Sequence, residues 1–372
     1  MDLAFLHPLY EHSGPWASVY VDLSEHAEDT AQVRDMTAAA VARDLAGQGA
    51  DEATCTAVRD AVRDLRHATD PHGRALFARA GRIVLNPPLA RRPPTGTTAL
   101  WAPLPHVAPL LELAGEDPLC VVAYIDRKGA DFELRSGVGG QDAGGVTGRQ
   151  WPVHRTSTGD WSERHFQLRV ENTWEHNAAE IADALAVCQE ETRADLLILV
   201  GDGRECRAVH ERLPQRLHDR VVEAEHGTGS RLLDEEVERT RTAHVRMRAR
   251  QDLERFQAAR APDDEGRTVA VEGVPALVEA AREHRIDELL IRLDGPDTHR
   301  EVWIGEGPDQ LAVRRQELRT LGEPDAWSAR ADDALLRAAV ETGAPAISVA
   351  PALPDEGEDT PAGGMGALLR WK

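Results

Sequence analysis

The stretch DWSERHFQLRVENTWEHNAAEIADALAVCQEETR, residues 160–193, decides how the middle of this chain is read. Phe166, Val170, Trp174, Ile181, Leu185 and Cys188 recur at spacings of three, four or seven, which places them on one stripe of a helix. Asp160 followed by Glu163 has the spacing of a capping box at its start. The expectation is one long amphipathic helix beginning near residue 160.

Strand candidates surround it. PLCVVAYID (118–126) is an apolar run of strand length, RKG turns, and ADFELRSG (130–137) alternates as its hairpin partner. Beyond the helix, DLLILVGD (195–202) predicts a central strand, GRECRAVHERLP (203–214) a helix and RVVEAE (220–225) a strand. Residues 231–258 then predict a long, charged helix.

The flanks divide the chain into three α/β parts: 1–116, 117–258 and 259–372. In the first, WASVYVDL (16–23) predicts a strand. QVRDMTAAAVARDLAGQG (32–49) and ATCTAVRDAVRDLRHA (53–68) predict helices, and GRALFARAGRIVLNPPL (73–89) a short helix end plus a strand. In the last, VPALVEAAREHRI (274–286) and ADDALLRAAVETG (331–343) predict helices. DELLIRLD, REVWIG, APAISVAP and MGALLRWK predict strands. The fold class expected is α/β, with a mixed middle sheet, a projecting loop over 137–162, and a compact α/β/α unit at the end.

Bulk properties narrow the function. The formal net charge is −21 and aromatics make up 4%, so the body is an acidic fold with an aliphatic core. No basic n-region with an apolar stretch opens the chain, and the longest apolar runs are far too short to span a bilayer. Four widely spaced cysteines without a C-x-x-C argue against a zinc knuckle or a disulfide framework and fit a reduced cytoplasm. Neither DNA nor membrane is expected as a partner. One basic island stands beside the long loop: Arg149, Arg155, Arg164 and Arg169 against Asp160 and Glu163. A solvated loop and a limited RNA contact both fit it.

Three features together resemble the superfamily of archaeal and eukaryotic release factors and Pelota. The resemblance is nearer to its bacterial branch, with its Vms1-like proteins and Balon-type hibernation factors. The first is the middle order of strand, hairpin, long loop and helix opening with SERHFQLR. Ser162, His165-Phe166 and Arg169 match the serine, the Arg-Phe-like pair and the second arginine that follow Gly-Gly-Gln in release factors. The others are VENTWEHNAAEIADAL (170–185) and the glycine-rich GGMGALLRW (363–371). The opening GPWASVYVDLS and the phrase VVAYIDRKGADFEL are similar too.

In this register the tripeptide before Ser162 is Gly159-Asp160-Trp161, while Gly139-Gly140-Gln141 lies about twenty residues earlier, where a structural turn explains the glycines. Release chemistry needs close backbone approach and a side-chain amide to orient water. Asp160 adds an anion instead, and the Trp161 indole donates but cannot accept. The resemblance therefore implies a factor that fills the ribosomal A site, as in hibernation or stress, touching rRNA and P-site tRNA without hydrolysis. Trp161 would stack on a base, worth about 1–3 kcal/mol, and Arg155, Arg164 and Arg169 would reach phosphates. Trp161 folded back on its own domain is the bland alternative. By the same resemblance the last part would face the stalk or a translational GTPase such as elongation factor Tu.

Two rivals remain. One is a peptidyl-tRNA hydrolase that rescues ribosomes through Gln141; the other is a non-ribosomal adaptor with an acidic binding face. His154, His165 and His176 with Asp160 and Glu163 lack ligand spacing, and LVGDGREC (199–206) reads as a β-to-α turn, so neither metal nor cofactor is expected.

Overall fold

The computed structural model describes residues 1–23, 31–66, 72–114, 118–126, 129–135, 166–169, 174–224, 234–262, 266–320, 322–323, 325–349 and 360–371. The architecture is mixed α/β. Its contacts group into two compact units, Asp117–Met247 and a discontinuous unit of Met1–Glu116 with Arg248–Lys372.

A 3₁₀ turn over Ala4–Leu9 opens the first unit, followed by β1 (Trp16–Val21), α1 (Ala31–Gly47), α2 (Glu52–Asp64), β2 (Arg74–Arg79), β3 (Arg82–Leu85), β4 (Thr98–Ala102) and α3 (Leu110–Leu113). The strands pair in the order β3-β2-β1-β4. Asp51 caps α2, its carboxylate accepting from Thr54 N–H at 2.9 Å. The expected helix end at GRALFAR is a strand instead. Ala80 (φ 45) and Gly81 (φ 75) form a left-handed two-residue turn that folds β3 back on β2, and this hairpin overrides the helical propensity of Arg, Ala and Leu.

The second unit contains β5 (Cys120–Asp126), β6 (Gly129–Arg135), β7 (Phe166–Arg169), α4 (Trp174–Thr192), β8 (Leu196–Val200), α5 (Gly203–His210), α6 (Gln215–His218), β9 (Val221–Glu223) and the start of α7 (Asp234–Ala259). Its sheet runs β7-β6-β5-β8-β9, with β8 parallel to β5 and β9. Leu196 through Val200 are buried throughout, as expected of a strand covered on both faces. Val121, Ala123, Ile125 and Phe132 pack with Ile181, Leu185, Cys206 and Val209 of α4 and α5. Cys120, Val122 and Ile198 pack on the other face with Val237 of α7.

The first unit then resumes with β10 (Ala270–Glu272), α8 (Val274–Arg282), β11 (Ile286–Ile291), β12 (Glu301–Ile304), β13 (Leu311–Ala312), α9 (Arg315–Thr320), β14 (Trp327–Arg330), α10 (Ala331–Thr342), β15 (Ala346–Ser348) and β16 (Met365–Leu369). The main sheet is β10-β16-β11-β15; β13-β12-β14 form a smaller one. On one face of the main sheet, Leu277 and Leu335 join a core that also holds Trp16, Phe77 and Leu110 from the first segment. The first unit thus takes in both the N-terminal and the C-terminal segments.

Phe256 packs on the other face with Leu290, Ile347 and Leu368. The C-terminal glycines have physical reasons. A Cβ on Gly366 would lie 2.7 Å from the Phe256 ring, and one on Gly364 (φ +87) would lie 2.6 Å from Gly295 Cα.

Candidate functional site

The β6–β7 pair frames the segment in which the sequence reading placed the site. Phe132 faces Phe166 and Gly129 faces Arg169, antiparallel. The described part of β6 ends at Arg135 and that of the neighbouring β7 begins at Phe166. Gly139, Gly140, Gln141, Arg155, Gly159, Asp160, Trp161, Ser162 and Arg164 all lie outside the described residues. Arg169 is the last residue of β7, and its strand position is a correction: the helix expected from residue 160 starts at Trp174.

The physical reason is that Phe166-Gln167-Leu168-Arg169 alternates apolar and polar, a period-two pattern hidden inside a helical stripe. As a strand it also satisfies backbone groups that β6 would otherwise present at an open edge. From Trp174 on, the helical expectation holds, with Ile181 and Leu185 buried in α4. The match of Ser162, His165, Phe166 and Arg169 to the release-factor pattern accordingly rests on residue types, since the helix begins later.

The described end of β6 is anchored electrostatically. Glu133 is 2% exposed, yet its carboxylate is shared between Arg135 Nε at 2.7 Å and the Tyr124 hydroxyl, which donates at 3.1 Å. A buried carboxylate held this way costs far less than an unpaired one. The pair fixes the side chain of Arg135, the last residue of β6. Cys188 and Cys206 stand elsewhere among the described residues of this unit. Burial first, then nearby carboxylates, pushes the Cys188 and Cys206 thiols up to about 11, so neither is a thiolate nucleophile at neutral pH. LVGDGREC is the turn it was expected to be: Asp202 caps α5 by accepting from Arg204 N–H at 3.0 Å. A Cβ on Gly201 would strike Ile125 O at 2.5 Å.

A second cluster, which sequence reasoning missed, lies within the first unit. His106, Asp332 and Asp333 gather ligand-type atoms within 4.8 Å of one another. His106 Nδ1 is 2.8 Å from Asp333 Oδ2, while Val107 and Ala108 N–H donate to Asp333 Oδ1 at 3.0 and 3.4 Å. Arg330 donates to both oxygens of Asp332, at 3.0 and 2.6 Å. The Asp333 N–H adds 2.8 Å to Asp332 Oδ1. The carboxylates are thus already committed to protein donors, which suits a clasp rather than a metal centre.

Its backbone is held as well: Tyr20 OH donates to His106 O at 2.7 Å and His106 N–H to Ser18 Oγ at 2.8 Å. Burial lowers the His106 pKa, but the charge and hydrogen bond of Asp333 outweigh it and the net direction is upward. Burial, reinforced by the Asp333 charge, raises Asp332 to about 6 despite Arg330. Only Asp332-Asp333 adjacency was visible in sequence; His106 is 227 positions from its partner.

Comparison with known proteins completes the picture. Residues 119–262 match the model of bacterial archaeo-eukaryotic release factor family 2. Two Mycobacterium tuberculosis proteins, the uncharacterized Rv2629 of strain H37Rv and MT2704 of strain CDC 1551, are each 30% identical over 361 residues, covering 96% of this chain and 94% of theirs. Among solved structures, Archaeoglobus fulgidus Pelota is 15% identical, covering 100% of this chain and 92% of that one, with a TM-score of 0.35. Saccharomyces cerevisiae Dom34, a translation termination-like factor, is 10% identical over 68% and 63%, with a TM-score of 0.39. An archaeal Pelota, ribosome-bound with ABCE1, is 12% identical over 99% and 93%, also with a TM-score of 0.39. Among the described residues no helix is long and apolar enough to cross a membrane.

Proposed function

Because this chain belongs to the bacterial branch of the archaeo-eukaryotic release-factor family, we propose that it is a ribosome-associated translation factor that fills the A site without hydrolysing peptidyl-tRNA. One chemical observation carries the reading: the residues before Ser162 are Gly159-Asp160-Trp161, with no amide side chain. A carboxylate beside phosphate-rich RNA discourages close approach of an ester and its hydroxide, and an indole cannot accept a proton from water. Binding remains available to the same loop. Trp161 stacks on a base, and Arg155, Arg164 and Arg169, the last residue of β7, meet phosphates. A hibernation or stress role follows from occupancy without turnover. Ribosomal RNA and P-site tRNA are the contacts proposed, with a translational GTPase such as elongation factor Tu as a further partner.

Cosedimentation of the full chain with purified ribosomes tests the proposal. We expect retention at moderate salt and a roughly tenfold or greater loss of affinity in Trp161→Ala, the size of one base stack. Unchanged affinity in a folded variant removes the stacking role. Absence of wild-type cosedimentation removes the ribosomal reading and favours a protein-binding adaptor.

A further inference from the structure

Helix α7 carries RTRTAHVRMRAR, residues 239–250, with five arginines and no carboxylate in a chain of net charge −21. The helix's acids are concentrated before this run, at Asp234, Glu235, Glu236 and Glu238, near the N-terminus where the helix dipole favours them. Helical periodicity sorts the part of the run inside the second unit. Val237, Arg241 and His244 share one side and are buried, and Arg241 Nε donates to Pro118 O at 3.1 Å. Arg239, Ala243, Arg246 and Met247 make the opposite stripe, at spacings of four, three and one, and all four are exposed.

We propose that this stripe of α7 is a second RNA-docking surface, holding the phosphate backbone of structured ribosomal RNA. It deepens the ribosomal reading and rests on it for the identity of the RNA. Arg239 and Arg246 stand two turns apart, about 10 Å along the axis. Both are arginines, whose planar forks pair with phosphate oxygens bidentately. Between them Ala243 adds no bulk that would keep a backbone away. An acidic protein is the weaker fit. Stable protein interfaces are built around buried aromatic or aliphatic anchors, and this stripe offers only Ala243 and Met247.

The experiment measures binding of the full chain to a labelled 20-base-pair RNA duplex across a potassium chloride series, with ribosome cosedimentation alongside. Arg239→Gln/Arg246→Gln removes two exposed charges while keeping good helix formers; Arg43→Gln/Arg204→Gln is the off-site control. We expect the first variant to bind the duplex about tenfold more weakly near 0.1 M salt, with a log–log salt slope shallower by roughly 1–2. The control should match wild type. Equal affinity and slope in the arginine variant overturn the proposal. So does displacement of wild type from ribosomes by polyglutamate with duplex binding unaffected, which would mark an acidic protein site. Arginine-dependent duplex binding without ribosome cosedimentation supports the surface while removing the ribosomal reading beneath it.

Discussion

Phe132 on β6 lies directly opposite Phe166 on β7. The segment that holds both Gly139-Gly140-Gln141 and Gly159-Asp160-Trp161 follows Arg135 of one strand and precedes Phe166 of its antiparallel neighbour. Whatever the segment does on the ribosome, it is tethered at both ends to neighbouring strands of the unit that the release-factor family model matches.

The pairing has a direct chemical test. Asp131 and Gln167 are cross-strand partners, so Asp131→Cys/Gln167→Cys should form a disulfide under mild oxidation, since the Cα atoms of opposed residues sit about 4.5–5.5 Å apart, within the span a disulfide bridges. Asp131→Cys/Leu168→Cys should not, because a one-residue shift moves the thiol to the other face. Peptide mapping under non-reducing conditions distinguishes these bonds from the four native free cysteines. Equal cross-linking in both variants would contradict the register.

The C-terminal glycines should be selectively sensitive. At Gly364 a side chain meets a left-handed backbone and a neighbouring Cα at 2.6 Å. We expect Gly364→Ala to cost roughly 2–4 kcal/mol in urea unfolding. Gly203, with nothing within 4 Å of its added Cβ, should tolerate Ala within about 0.5 kcal/mol. Comparable losses at both positions would refute the close-approach explanation.

The His106–Asp333 clasp predicts a pH dependence of stability. The folded state holds protons on His106 and Asp332 more tightly than the unfolded chain, since both pKa values are raised. Stability from such groups is greatest at low pH and falls as pH rises. The Asp332 contribution is lost between its ordinary 3.8 and about 6. The His106 contribution is complete below the ordinary 6.5 and is lost as pH climbs through the raised value. Wild type should therefore show a lower urea midpoint at pH 8 than at pH 6. His106→Asn, which keeps a donor but cannot titrate, should flatten that difference. An equal drop in both proteins would assign the dependence elsewhere.

Sequence patterns disclosed the elements whose physics is local. LLILV at 196–200 is a buried parallel strand because an unbroken aliphatic run fits no surface, and α10 followed from ADDALLRAAVETG closed by a left-handed Gly343. Elements decided by tertiary pairing were not legible. FQLR fits a helical stripe and an alternating strand equally, and the free edge of β6 decides between them. RALFAR carries helix-forming residues but is turned into a hairpin by Ala80-Gly81. The His106–Asp333 clasp joins residues 227 positions apart, and no local pattern records such a partnership. The basic face of α7 was present as a run of arginines, yet its sorting into buried and exposed sides needed the packing of Val237, Arg241 and His244.

The most direct measurement is release of labelled peptide from purified ribosomes carrying peptidyl-tRNA, with the full chain added in excess. Binding without hydrolysis predicts that release stays at the spontaneous rate while the protein cosediments. Release well above that rate, abolished by Gln141→Ala, would contradict it and make Gly139-Gly140-Gln141 the working tripeptide.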